Sequence, residues 1–141
     1  MLLLVATGSA VELRTPFVEV NLGCLKPGHT YSVLKERNLP LSVTNMGKSP
    51  VELRIGVVPP RREELLAGYE PLPDTGWIRL EQERFQVQPG GNAITDVLVS
   101  VPGDEKYRGR RFQVWLWSYA MSDTGLVAGL KSRLLFSVCE E

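Results

Sequence analysis

The chain has 141 residues, enough for one hydrophobic core. Apolar residues make up 43% and charged residues 23%, the composition of an ordinary folded domain. Sixteen basic and sixteen acidic residues balance, which argues against a dedicated nucleic-acid binder with its net positive surface.

The opening MLLLVATGSAVEL is apolar, but its longest uninterrupted run, Met1 to Ala6, is far short of the roughly 18–20 residues that span a bilayer. No transmembrane segment is expected. Two readings of this stretch stand side by side. It has the small-x-small spacing of a secretory signal tail in Gly8 and Ala10 before Val11, without a basic n-region. It also reads as an extra N-terminal strand. Residues 1–14 are therefore set apart as an apolar arm or signal remnant, and 15–141 as a single domain.

Strand signals follow in chain order. Val18, Val20 and Leu22 alternate and are closed by the turn Lys26-Pro27-Gly28. Leu39, Leu41 and Val43 alternate before Asn45-Met46-Gly47-Lys48, and Val51, Leu53, Ile55 and Val57 alternate after it, so 39–58 is predicted as a hairpin. PPRREELLAG at 59–68 is the helix candidate, predicted as one short helix near 61–67. Ala93 to Val101 is a run bounded by Pro89-Gly90-Gly91 and Pro102-Gly103, predicted as one strand. Leu130, Ser132, Leu134, Phe136 and Val138 alternate near the end. Short strands between turn residues throughout predict an all-β sandwich with at most that one helix.

Two segments carry a resemblance. Trp77-Ile78-Arg79-Leu80 leads through Phe85 and Val87 to Pro89-Gly90, and Val101-Pro102 leads through Asp104, Tyr107 and Gly109 to Phe112. Together they resemble the bacterial Ig-like modules of secreted and cell-surface proteins, related in architecture to the major-sperm-protein and abnormal-spindle type of sandwich. The resemblance covers roughly 17–138. It implies an Ig-like antiparallel β-sandwich of about seven to nine strands, with no catalytic residue to carry over. It also implies a tyrosine corner, with the Tyr107 hydroxyl on a backbone carbonyl.

Several motifs suggest chemistry and are better read as structure. Leu72-Pro73-Asp74-Thr75-Gly76 has the form of a sortase signal but sits mid-chain before a strand. Asp74-Thr75-Gly76 and Asp123-Thr124-Gly125 spell the aspartic-protease tripeptide, yet their flanks read as turns, with the carboxylate bonding local N–H groups. His29 is the only histidine and follows a Pro-Gly turn, so no triad is expected. Lys106, Arg108, Arg110 and Arg111 adjoin Asp104 and Glu105 and read as a solvated turn. Neither catalysis, a metal nor a cofactor is expected: the two cysteines form no CxxC and have only one histidine for company.

Phe112-Gln113-Val114-Trp115-Leu116-Trp117-Ser118-Tyr119 is the most informative stretch. Alternation sends Phe112, Val114 and Leu116 to the core and sets Trp115, Trp117 and Tyr119 in a row on the other face. Such a row needs cover, from the N-terminal arm, a second copy or a ligand such as a glycan. Cys24 and Cys139 allow one disulfide or two inert thiols. In an Ig-like order the first and last strands end together, which would bring the pair into reach despite the frayed position of Cys139. The expectation is a non-catalytic binding or structural module outside the cytoplasm of a bacterium: periplasmic, secreted or cell-surface. Its partner would be a protein or another copy of the chain. A carbohydrate-binding module and a cytoplasmic interaction domain are the competing readings.

Overall fold

The structure is a computed structural model that describes residues 3–8, 11–122 and 125–141. Two strands near the C-terminus form its spine. β12 (Arg111–Ser122) and β13 (Gly125–Val138) pair antiparallel from Arg111 opposite Ser137 to Ser122 opposite Gly125, with one bulge beside Ala120 and Met121. β6 (Val51–Val58) joins the far side of β12, and β9 (Arg84–Val87) joins β6. β3 (Glu19–Leu25) runs parallel along β13, with Leu134 opposite Val20 and Phe136 opposite Leu22. The two-residue β7 (Glu70–Pro71) pairs in parallel with β12 and completes a six-stranded sheet.

Two smaller sheets complete the sandwich. One has the order β1 (Leu4–Gly8), β2 (Val11–Thr15), β5 (Leu41–Asn45) and β10 (Asn92–Thr95). The other places β11 (Val97–Ser100) between β4 (Thr30–Ser32) and β8 (Ile78–Leu80). The inward residues of all three sheets meet in one apolar core. Phe17, Phe112 and Phe136 are fully buried, and Trp77 sits edge-on to Phe112 at 5.3 Å and to Tyr107 at 4.8 Å. Offset and T-shaped aromatic contacts of this kind hold core geometry better than face-to-face stacking.

The all-β architecture expected from the alternating runs is present, but the connections differ from the local reading. Residues 39–58 do not form a hairpin: β5 pairs with β2 and β10, while β6 pairs with β12 and β9 in the other layer. The buried Asn45 side chain fixes this crossing. Its Nδ2 donates to the carbonyls of Ser49 (2.9 Å) and Val87 (3.1 Å), and its Oδ1 accepts from Gly47 N–H (2.9 Å).

The run 93–101 is likewise two strands in two sheets. The break is Asp96, whose Oδ1 accepts from Leu34 N–H (3.0 Å) and Val97 N–H (2.7 Å), and whose Oδ2 accepts from the Ser32 hydroxyl. Those bonds also fix the start of α1 (Val33–Arg37), which Ser32 caps and Asn38 ends in a left-handed conformation. The expected helix region at 61–67 holds one turn of 3₁₀ helix, Arg62–Glu64, so the α-helix falls at 33–37 instead. Helix α1 is only five residues long, too short to show periodicity. Tyr107 makes no corner: its ring packs on Trp77 and Phe112, and its hydroxyl bonds no carbonyl among the described residues.

Asp96→Ala should destabilise the fold by about 1–3 kcal/mol, because it strands two backbone donors and a hydroxyl in a half-buried site. Urea denaturation measures the loss, and Asp96→Asn, which keeps an acceptor, should lose less.

Candidate functional site

The side chains facing away from the core on the six-stranded sheet form two zones. At one end the 61–70 excursion folds back over the sheet and is tied down by Gln113, an outward position of β12 that is nonetheless fully buried. Gln113 Nε2 donates to the Glu64 carbonyl (2.9 Å) and its Oε1 accepts from Leu66 N–H (2.9 Å). A buried amide must find partners on both atoms, and this one finds them in the excursion. Leu135, opposite Gln113 on β13, is buried with it.

Beyond the excursion the face is open. Trp115, Trp117, Tyr119 and Met121 follow one another along β12, each half-buried. Val58, Gly56, Arg54 and Glu52 stand opposite on β6; Arg133, Lys131 and Gly129 flank on β13, with Leu126 opposite Met121. The register explains how the row is accommodated. Trp115 lies under Arg133 (4.8 Å to the ring centroid) and Lys131 (5.6 Å), a double cation–π contact.

Trp117 leans over Gly129, where a Cβ would stand only 2.7 Å from ring carbons Cζ2 and Cζ3, and its ring is near parallel to that of Tyr119 at 5.8 Å. Glycine is required at 129 because the indole fills the volume of a side chain there. The cover is thus supplied largely within the sheet. Residues 4–8, part of the 1–14 arm considered for that role, pair with β2 in the other layer.

The charges on this face are paired. Arg54 contacts Glu52 (3.1 Å), Lys131 contacts Glu64 (3.3 Å) and Arg133 contacts Glu19 (3.0 Å). Glu64 Oε1 also accepts from the Arg61 N–H (2.8 Å). That backbone bond, followed by Lys131, holds the Glu64 carboxyl down to about 2 against the opposing effect of desolvation. Trp115 Nε1 and Arg133 Nε are buried donors without an acceptor among the described residues.

The other sequence candidates resolve locally. Asp74 caps the turn Thr75–Trp77, its Oδ1 accepting from Gly76 N–H at 2.7 Å, and Asp104 caps the turn Glu105–Tyr107 in the same way. Asp123 and Thr124 lie outside the described residues. His29 is exposed, with Nδ1 3.1 Å from the Pro27 carbonyl. In the basic cluster, Arg108 pairs with Glu105 and Lys106 with Asp104, while Arg110 forms a bidentate contact to Glu70 (2.7 and 3.0 Å) that lowers the Glu70 carboxyl pKa.

Cys24 and Cys139 are joined, with Cα atoms 4.3 Å apart. Cys24 is exposed in a bulge of β3 at φ 47°, where Gly23 and Cys24 together face Ser137, and its N–H donates to the Ser137 hydroxyl (2.9 Å). The bond closes a loop spanning 115 positions, a constraint of about 4–5 kcal/mol in the loop-entropy account. A surface cavity of about 200 Å³ adjoins it, lined in part by Arg111 and Glu140. Among the described residues there is no cluster of side chains able to hold a metal ion.

No protein-family model matches the sequence, and no curated protein does either. Solved structures do match by shape. The PapD-like domain 7 of human CEP192 superposes with a TM-score of 0.60 at 13% identity, covering 95% of this chain and 88% of that one. A Bacteroides ovatus protein proposed to bind carbohydrate gives 0.64 at 14% identity over 90% of this chain. The E. coli chaperone DraB gives 0.56 at 13% identity over 91%. The chain spans only 37% and 55% of the length of these last two. At such identities the likeness concerns the fold alone: the chain is an Ig-like β-sandwich, the fold it shares with these domains.

Gly129→Ala should displace Trp117 and destabilise the fold by about 1–3 kcal/mol, read by denaturation and a shift in tryptophan emission. The loss should shrink in a Trp117→Ala background. The Glu64 carboxyl is lowered in the folded state relative to a free glutamate near about 4.3. Its contribution to stability is therefore complete above the unfolded value and is lost as pH falls through about 2. Urea midpoints of wild type and Glu64→Gln should converge as pH is lowered across that window.

Proposed function

We propose that this chain is a non-catalytic binding and assembly module of a bacterial envelope, periplasmic, secreted or cell-surface. The open half of the outer sheet face is its contact surface for a protein partner. The observation that carries this reading is the half-buried row Trp115, Trp117, Tyr119 and Met121, continued by the exposed Leu126. Tryptophan and tyrosine are the residues on which binding energy concentrates, and this row sits on a rigid sheet held from below by the core. Non-catalysis is supported by Asp74 and His29, whose polar atoms engage the nearby backbone.

Placement outside the cytoplasm is supported by the Cys24–Cys139 bond, since such bonds persist in oxidising compartments. It also disfavours the reading as a cytoplasmic interaction domain. The likeness to the chaperone DraB supports a protein partner. A second reading, a glycan ligand, is favoured by the near-parallel Trp117 and Tyr119 rings and by the likeness to the B. ovatus protein.

The test uses the double variant Trp117→Ala, Tyr119→Ala, which leaves Trp115 under its two cations. Crosslinking in cells from position 121 should capture envelope proteins with wild type and at least about tenfold less with the variant, at an unchanged far-UV spectrum. Loss of retardation in gels containing neutral polysaccharide would instead select the glycan reading. A variant that retains every wild-type interaction removes the assignment from this face. Two alkylatable thiols in unreduced protein from its native compartment would overturn the extracytoplasmic reading.

A further inference from the structure

The free edges of the three sheets are not alike. A strand edge exposes unpaired N–H and C=O groups, and folded proteins protect such edges with charge, proline, bulges or short length. β3, at one edge of the six-stranded sheet, carries the Gly23–Cys24 bulge with a left-handed residue and the disulfide. β9, at the other edge, follows Glu81 and Glu83 and begins with Arg84. β4 and β8 have three residues each, and β8 has Arg79 at its centre. β10 has four residues and follows Pro89-Gly90-Gly91.

β1 has none of these devices. It pairs with β2 over five residues, no described strand pairs with its other side, and residues 1–11 contain no charged side chain. Leu3 and Val5 project away from the core, 45% and 51% exposed, in the company of neither a charge nor a proline of their own strand.

We infer that the β1 edge is a homodimer interface in which two copies pair β1 with β1 antiparallel about a two-fold axis, joining two four-stranded sheets into one of eight. The charge pattern selects a second copy as the occupant. Across a two-fold axis each strand meets its own sequence, so a charged residue near the axis would face its like, and this segment has no charge to repel. With Ala6 on the axis, Leu4 opposes Gly8 of the other copy and Val5 opposes Thr7. The two Val5 side chains then lie diagonally on the same outer face, within reach of long side chains. Glu12 and Arg14, the first charged residues of the neighbouring strand, pair with each other at 3.0 Å and stand one strand away from the axis.

The experiment is sedimentation equilibrium of the full 141-residue chain with variants Val5→Lys and Val5→Glu, whose exposed site leaves the fold intact by circular dichroism. Wild type should be a dimer at micromolar concentration. Each variant alone should dimerise at least about tenfold more weakly, because like charges meet across the axis. An equimolar mixture of the two should recover the dimer as a Lys–Glu heterodimer, a result that a general loss of hydrophobic surface would not give. A wild-type chain that stays monomeric up to about 0.5 mM overturns the proposal, since that is weaker than most specific self-association. A dimer that both variants leave unchanged overturns it as well.

Discussion

The antiparallel register of β12 against β13 is the constraint on which the rest of the molecule depends. With a side-chain period of two, one choice of pairing decides at once which residues of β12 enter the core and which form the outer face. The pairing of Phe112 with Phe136 and Leu116 with Ser132 sends the large apolar groups inward. The same register sets Arg133 and Lys131 over Trp115 and puts Gly129 beneath Trp117. A slip of β12 by one residue would set its tryptophans on the core face with Leu134 and Phe136. It would turn Phe112, Val114 and Leu116 to the face of Lys131 and Arg133. Core and candidate surface are therefore two consequences of a single ladder.

Around that ladder the chain passes repeatedly from one sheet to another, and three of these crossings have a local device. Pro16, between β2 and β3, lacks the N–H a continuous ladder would need. Asn45 ties the crossing from β5 to β6, and Asp96 ties the one from β10 to β11 while fixing the start of α1. Each polar side chain replaces backbone pairing that is lost when a strand leaves its sheet, as the demand for satisfied buried groups requires. Gln113 does the same for the 61–70 excursion, and by holding it down it sets the boundary of the open face.

The ends of the chain show two opposite treatments of an edge. Where β3 lies along β13, a bulge, a left-handed residue and a covalent bond close the edge. Where β1 borders β2, an uncharged apolar strand leaves it open. Both lie outside the β12–β13 ladder, so either can change while the core register stays intact.

Fold class and the two faces of β12 were legible in the sequence, because alternation reports burial directly: Phe112, Val114 and Leu116 against Trp115, Trp117 and Tyr119. The turn role of Asp74 was legible too, since a carboxylate two residues before a glycine bonds its N–H within the same few residues. The crossing at 45–50 and the break at Asp96 were not. An alternating strand has the same pattern whether its successor pairs beside it or across the core, and only distant partners such as Val87 and Ser32 distinguish the two. Gln113, Glu64 and Gly129 were invisible for a related reason. An amide, a carboxylate and a glycine carry no sign of a neighbour 49, 67 or 12 positions away in the chain. The sequence alone determined which side chains avoid water. Which of them meet, and which face stays open, was decided by long-range register, because strand pairing joins residues that local chemistry cannot relate.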